Sequence, residues 1–175
     1  MKFNLSIRQI TVIGLLSAVS LLLGSTPLGI IPVPTPAGAA TIMHIPAIIG
    51  GVIEGPMVGG FIGLVFGIFS FLRASSPLVA DPIVAIVPRI FIGIFAAYSY
   101  RLFENKFVGA TVSAVVGTFT NTLGVLILAV IRGLLPAGAA LGIVVTHGIP
   151  EAVLGILVTI PVVKILQRSG FQEER

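Results

Sequence analysis

The sequence predicts an all-α integral membrane protein, a single bundle of six transmembrane helices with both termini cytoplasmic. Three observations carry that reading. Of 175 residues, 56% are hydrophobic and only 9% charged, whereas a soluble domain carries roughly a quarter charged residues. Proline- and glycine-rich or polar stretches cut the chain into apolar runs, most of them near the ~20 residues a bilayer-crossing helix needs. The few lysines and arginines, finally, gather in alternate connections, as topology signals do.

The first span runs from about Ile7 to Gly24. Lys2 and Arg8 ahead of an apolar stretch also suit a cleaved secretory signal. Five further apolar segments follow, so a retained span is the simpler expectation. Ser25–Ala40 holds Pro27, Pro32, Pro34 and Pro36, too many for a helix. It is apolar and uncharged, and a loop of that kind is expected to fold back over the protein as an extracellular lid. The second span, about Thr41–Ile53, is short and contains Pro46. Glu54-Gly55-Pro56 reads as a tight turn.

The third span, about Met57–Leu72, carries Gly59, Gly63 and Gly67 at small-xxx-small spacing, a packing face. Asp81-Pro82 reads as the N-cap and first residue of a fourth span reaching about Tyr100. The fifth is about Phe107–Ile131 and the sixth about Ala140–Ile165, with a charged cytoplasmic tail over 166–175. The reading is therefore one domain over 1–175, with residues 25–40 as its lid.

Orientation follows from the cations. With the N-terminus inside, Lys2, Arg8, Arg101, Lys106, Lys164, Arg168 and Arg175 are cytoplasmic and only Arg73 and Arg132 are outside. The sequence pI near 10.1 reflects these scattered cations, with no Lys/Arg run or aromatic interleaving of the kind that binds nucleic acid. There are no cysteines, which excludes disulfides, thiolate metal sites and thiol nucleophiles. No convincing internal repeat is present, against an inverted-repeat transporter.

One charge stands well inside a span. Arg89 lies roughly 10 Å below the outer end of the fourth, at 1.5 Å per residue, where a charge costs about 2.5–3.5 kcal/mol on insertion scales. Ala85, Arg89, Gly93 and Ala97 form one helical stripe, small enough around the arginine to face the bundle interior. A guanidinium so placed anchors an anionic ligand or pairs with Glu151 or Asp81. His147 and Glu151, four residues apart on one face, lie about 10–17 Å deep, and Asn121 about 15 Å. His44 falls at the outer rim, about 5 Å deep. Glu151 is either a ligand contact or the counter-ion of Arg89. Pro150, between His147 and Glu151, frees a backbone carbonyl. Asn121 reads as a ligand contact, and Thr118 and Thr122 as links between helices. Two imidazoles and one carboxylate on separate helices fall short of a metal signature. The inner half is almost purely apolar, so these groups form an outward pocket and not a pore. Gly14 and Ala18 make a small-xxx-small patch on the first span, for packing in the bundle or docking another membrane protein.

Two stretches carry a family resemblance. They are Thr41-Ile-Met-His-Ile-Pro-Ala-Ile-Ile-Gly-Gly-Val-Ile-Glu-Gly-Pro-Met-Val-Gly-Gly and Asp81-Pro-Ile-Val-Ala-Ile-Val-Pro-Arg-Ile-Phe-Ile-Gly. With His147-Gly-Ile-Pro-Glu-Ala, they resemble the substrate-binding S components of energy-coupling factor (ECF) vitamin transporters, and most the pantothenate-type members. The resemblance implies a protein that is not an enzyme and needs no cofactor. It would capture a water-soluble vitamin outside the cell and dock on a transmembrane coupling subunit with two cytoplasmic ATPases. Such proteins are thought to topple in the membrane, which an almost charge-free exterior suits. Many relatives dock through an Ala-x-x-x-Ala patch on the first helix, matched here in size by Gly14 and Ala18. An arginine suits a vitamin bearing a carboxylate, as pantothenate does; folate, riboflavin, a pyridoxine-type compound or a cobalamin precursor are the alternatives. The absence of tryptophan and the presence of only two tyrosines argue against a large flat ring stacked in the pocket. An intramembrane enzyme using His147, Glu151 and His44, or a channel, is the rival from another class.

Overall fold

The computed structural model describes residues 5–32 and 39–168. Lys2, Arg175, the end of the tail and the middle of the lid segment lie outside the described residues. Helix α1 (Ile7–Ser25) starts on a capping box. Ser6 Oγ accepts from the Gln9 amide at 3.2 Å, and Gln9 Oε1 accepts from the Ser6 amide at 3.0 Å. A 3₁₀ turn, Pro27–Gly29, leads into strand β1 (Ile30–Pro32), which pairs antiparallel with β2 (Ala39–Thr41). Then come α2 (Ile45–Glu54), α3 (Pro56–Arg73), α4 (Pro82–Arg101) and α5 (Lys106–Ile131). A last rod is built from α6 (Ala137–Ile143), a π turn (Val144–Gly148) and α7 (Ile149–Arg168).

Five of these rods are long and apolar enough to cross a membrane. The second is not. At ten residues α2 spans about 15 Å, half the hydrocarbon thickness, and all ten residues are buried. The expected span from Thr41 is shortened because Pro46 sits in the first turn of the helix, where a missing N–H costs nothing. The chain above it is extended ribbon. This also changes the segment over 25–40, whose flanks pair through their backbones (Ile30 with Thr41, Pro32 with Ala39) instead of forming a loop without secondary structure. Away from water, such pairing satisfies backbone groups that a bare loop would leave open.

Gly55, at φ 102°, makes the turn between α2 and α3. The glycine ridge of α3 then lies against α4. A Cβ at Gly63 would collide with the Arg89 carbonyl, and one at Gly67 would come within 2.9 Å of the Ile86 Cα. Backbones this close are the packing that small-xxx-small spacing permits. Around α2, Ala47, Ile48 and Val52 pack with Val58, Ile62 and Phe66 of α3, Ile92 and Ala96 of α4, Ala110 of α5 and Val163 of α7. One half of the bundle is thus plugged around α2 by apolar side chains.

The two ends differ. One gathers the start of α1, the α2–α3 turn, the α4–α5 connection and the end of α7. An ion pair marks it, Arg8 Nε to Glu54 Oε1 at 2.7 Å. The other gathers the end of α1 and the α3–α4 and α5–α6 connections, tied by Arg132 Nε to Asp81 Oδ2 at 2.9 Å. Asp81 also caps α4, its Oδ1 accepting from the Ile83 amide at 2.9 Å and the Val84 amide at 3.3 Å. Its charge is therefore matched by Arg132 and not by Arg89.

Candidate substrate-binding site

A cavity of about 270 Å³ opens at the Asp81 end, above the apolar plug. Arg89, Asn121, Thr122, His147 and Glu151 line it, with Thr41 from the ribbon, Arg73 from the end of α3, and Ser75 and Ser76 from the α3–α4 connection. Gly24, Met43, Phe66, Phe69 and Leu126 supply apolar wall. Its volume sits just below the roughly 300–1,000 Å³ of pockets for drug-sized ligands. A compact polar molecule fits it.

Arg89 reaches the cavity because of the proline before it. Pro88 has no N–H to give the Val84 carbonyl four residues back, and Arg89 Nη1 donates to that carbonyl at 2.6 Å. The side chain thus runs back along α4 toward the open end, the direction helical side chains favour. The Phe66 ring lies 5.6 Å from the guanidinium carbon, a cation–π contact worth about 0.5–2 kcal/mol. Arg89 is 5% exposed, and no described carboxylate forms an ion pair with it. Its Nε is buried without a hydrogen-bond partner among the described residues. Leaving a buried donor unmet costs about 1–3 kcal/mol, more for a charged group.

Glu151 is close enough to act on Arg89 electrostatically, yet its oxygens are committed elsewhere. Oε1 accepts from the Thr41 amide at 2.9 Å and the Thr41 hydroxyl at 3.3 Å, and Oε2 accepts from the Thr122 hydroxyl at 3.1 Å. This one carboxylate ties the ribbon to α5 and α7. Pro150 withholds an N–H from the Thr146 carbonyl, and the chain there widens into the π turn that ends at His147 and Gly148. Such turns re-aim side chains and recur at functional sites. His147 faces the cavity as a result, its Nδ1 3.4 Å from the Thr146 hydroxyl.

Asn121 is buried on the cavity wall, and its Oδ1 has no partner among the described residues. Thr118 and Thr122 both bond across helices, the role expected of them as links. His44 departs from expectation. It is fully buried and not at a wet rim, with Nε2 3.0 Å from the Thr118 hydroxyl, one turn deeper on α5 than Asn121. It does not line the cavity. The shift follows from the ribbon, which carries residues 39–43 down into the bundle before α2 begins.

Sequence reasoning missed Arg73, Ser70 and Thr41. Phe66, Ser70 and Arg73 recur at i, i+4 and i+7, so a cavity-facing stripe was readable once Phe66 was placed. The Thr41 contact depends on the ribbon and had no local signal. Gly14 and Ala18 are both exposed on α1, the least buried of the membrane-length helices. A Cβ at Gly14 meets nothing within 4 Å, so that glycine is not needed for packing inside the chain.

A membrane bundle with an apolar core around α2 and a polar cavity above it, with a buried guanidinium on the cavity wall, defines a ligand-binding membrane protein. Residues 8–163 match the family described as the substrate-specific component of ECF transporters, and the chain belongs to it. The family transports its substrates, and this chain is a transport protein and not an enzyme. The pantothenic acid transporter PanT of Lactococcus lactis subsp. cremoris (strain MG1363) is 30% identical over 158 residues, covering 74% of this chain and 78% of that protein.

Proposed function

We propose that this chain captures a small carboxylate-bearing vitamin, pantothenate before others, for uptake across the prokaryotic plasma membrane. One observation carries the reading: Arg89 is buried on the wall of a closed-bottomed cavity with no carboxylate among the described residues ion-paired to it. A guanidinium binds a carboxylate through two parallel N–H···O bonds. Asn121 and His147 are placed for the ligand's hydroxyl and amide groups, and Arg73 at the mouth favours entry of an anion. The similarity to a pantothenic acid transporter supports that choice among vitamins.

The open end faces outward in this reading. Among the described residues, Arg8, Arg101, Lys106, Lys164 and Arg168 lie at the closed end and Arg73 and Arg132 at the open one, the bias of a cytoplasmic closed end. Both termini are then cytoplasmic. The exposed α1 face at Gly14 and Ala18 docks the transmembrane coupling subunit, whose two ATPases drive release inward. The test is mass spectrometry of small molecules freed from freshly purified protein. Pantothenate at near one per chain is expected, and a different vitamin at that ratio would replace it in the account.

A further inference from the structure

The closed end holds a second recess, of about 210 Å³, between the start of α5 and the end of α7. Lys106, Phe107 and Ala110 form one wall, and Ile160, Val163 and Lys164 the other. Ala110 and Val163 are buried at its floor, whereas both lysines and Phe107 are exposed at its rim. The Lys106 ammonium stands 5.4 Å over the Tyr100 ring, a cation–π contact. Neither lysine is ion-paired with a described carboxylate. Glu104, exposed on the connection before α5, is paired with neither. Arg168 is exposed one turn beyond Lys164, and the positive end of the α5 dipole adds to the same field.

We propose that this recess holds one anionic phospholipid, its phosphate between Lys106 and Lys164 and an acyl chain against Ala110, Ile160 and Val163. The walls decide for a lipid over a soluble phosphate. Apart from the two ammonium groups they are apolar, and the recess lies between two helices long enough to cross the membrane, which suits an acyl chain and not a hydrated ion. Basic pockets between membrane helices at a cation-rich end take anionic headgroups for this reason. The site is separate from the substrate cavity and does not depend on which vitamin that cavity takes.

The test is native mass spectrometry of the full chain released from detergent, with phosphatidylglycerol and phosphatidylcholine offered together. The wild-type protein is expected to retain phosphatidylglycerol preferentially. A Lys106→Gln/Lys164→Gln variant should lose about tenfold or more of that retention, on the scale of two lysine–anionic-lipid contacts. A Lys106→Arg/Lys164→Arg variant should keep it, and millimolar inorganic phosphate should not displace the lipid. Both lysines are exposed, so the melting temperature in detergent should match wild type and separate lipid loss from misfolding. Equal retention of the two lipids by wild type, unchanged retention in the glutamine variant, or displacement by inorganic phosphate would overturn the assignment.

Discussion

Replacing Arg89 with alanine should abolish measurable binding of the vitamin while leaving a folded protein. Removing one partner of a buried, hydrogen-bonded charge pair costs about 2–5 kcal/mol, a loss of about thirty- to several-thousandfold in affinity. The fold should tolerate the change because Ala85, Gly93 and Ala97 on the same stripe are already small and buried. What folding loses is the 2.6 Å bond to the Val84 carbonyl and the contact with Phe66. The bond is worth about 0.5–1.5 kcal/mol, and the Val84 carbonyl it leaves is buried, so a melting temperature a few degrees below wild type is expected with the fold retained. Calorimetric titration of the variant beside a thermal melt checks both halves. Affinity within a few-fold of wild type would make Arg89 a brace for the proline-broken turn of α4 and nothing more.

The second large effect falls on transport with binding untouched. Gly14→Leu with Ala18→Leu adds bulk to an exposed face of α1, where a Cβ at position 14 meets nothing within 4 Å among the described residues outside its own helix backbone. Among the described residues of this helix the cavity draws only Gly24, about one and a half turns beyond Ala18 and nearly three beyond Gly14. Vitamin affinity should therefore stay within about twofold of wild type, as for a surface change remote from the site. Uptake in vesicles reconstituted with the coupling subunit and its ATPases should fall to background, because two leucines hold apart helices that small residues let touch. Uptake at the wild-type rate would move the docking surface elsewhere on the molecule.

Much of the fold was legible because lipid leaves few options. The membrane-length runs, the Asp81-Pro82 helix start, the Glu54-Gly55-Pro56 turn and the glycine ridge of α3 all follow from local chemistry. What was not legible came from tertiary context. Nothing local says that the run from Thr41 to Ile53 divides into a descending ribbon and a ten-residue helix wholly enclosed by its neighbours. That division takes His44 from the rim to the interior, and it also brings Thr41 onto Glu151. The site was legible in part. Arg89, Asn121, His147 and Glu151 share the cavity because intramembrane polar groups have few other places to go. The carboxylate's role was left open between ligand contact and counter-ion, and the structure shows it bonded to Thr41 and Thr122. Prolines 88 and 150 were the underused signals. Each removes a helical hydrogen bond one residue before Arg89 and Glu151, at the depth where side chains turn toward the hollow.

The central claim is that the Arg89 guanidinium receives a carboxylate, and the most direct measurement compares two ligands that differ only there. Pantothenate and its alcohol analogue, with the carboxylate reduced to a hydroxymethyl group, should be titrated into the wild-type protein under identical conditions. The account predicts that pantothenate binds at least about thirtyfold more tightly, the lower bound for a buried charge left unmatched. Equal affinities for the two would contradict it.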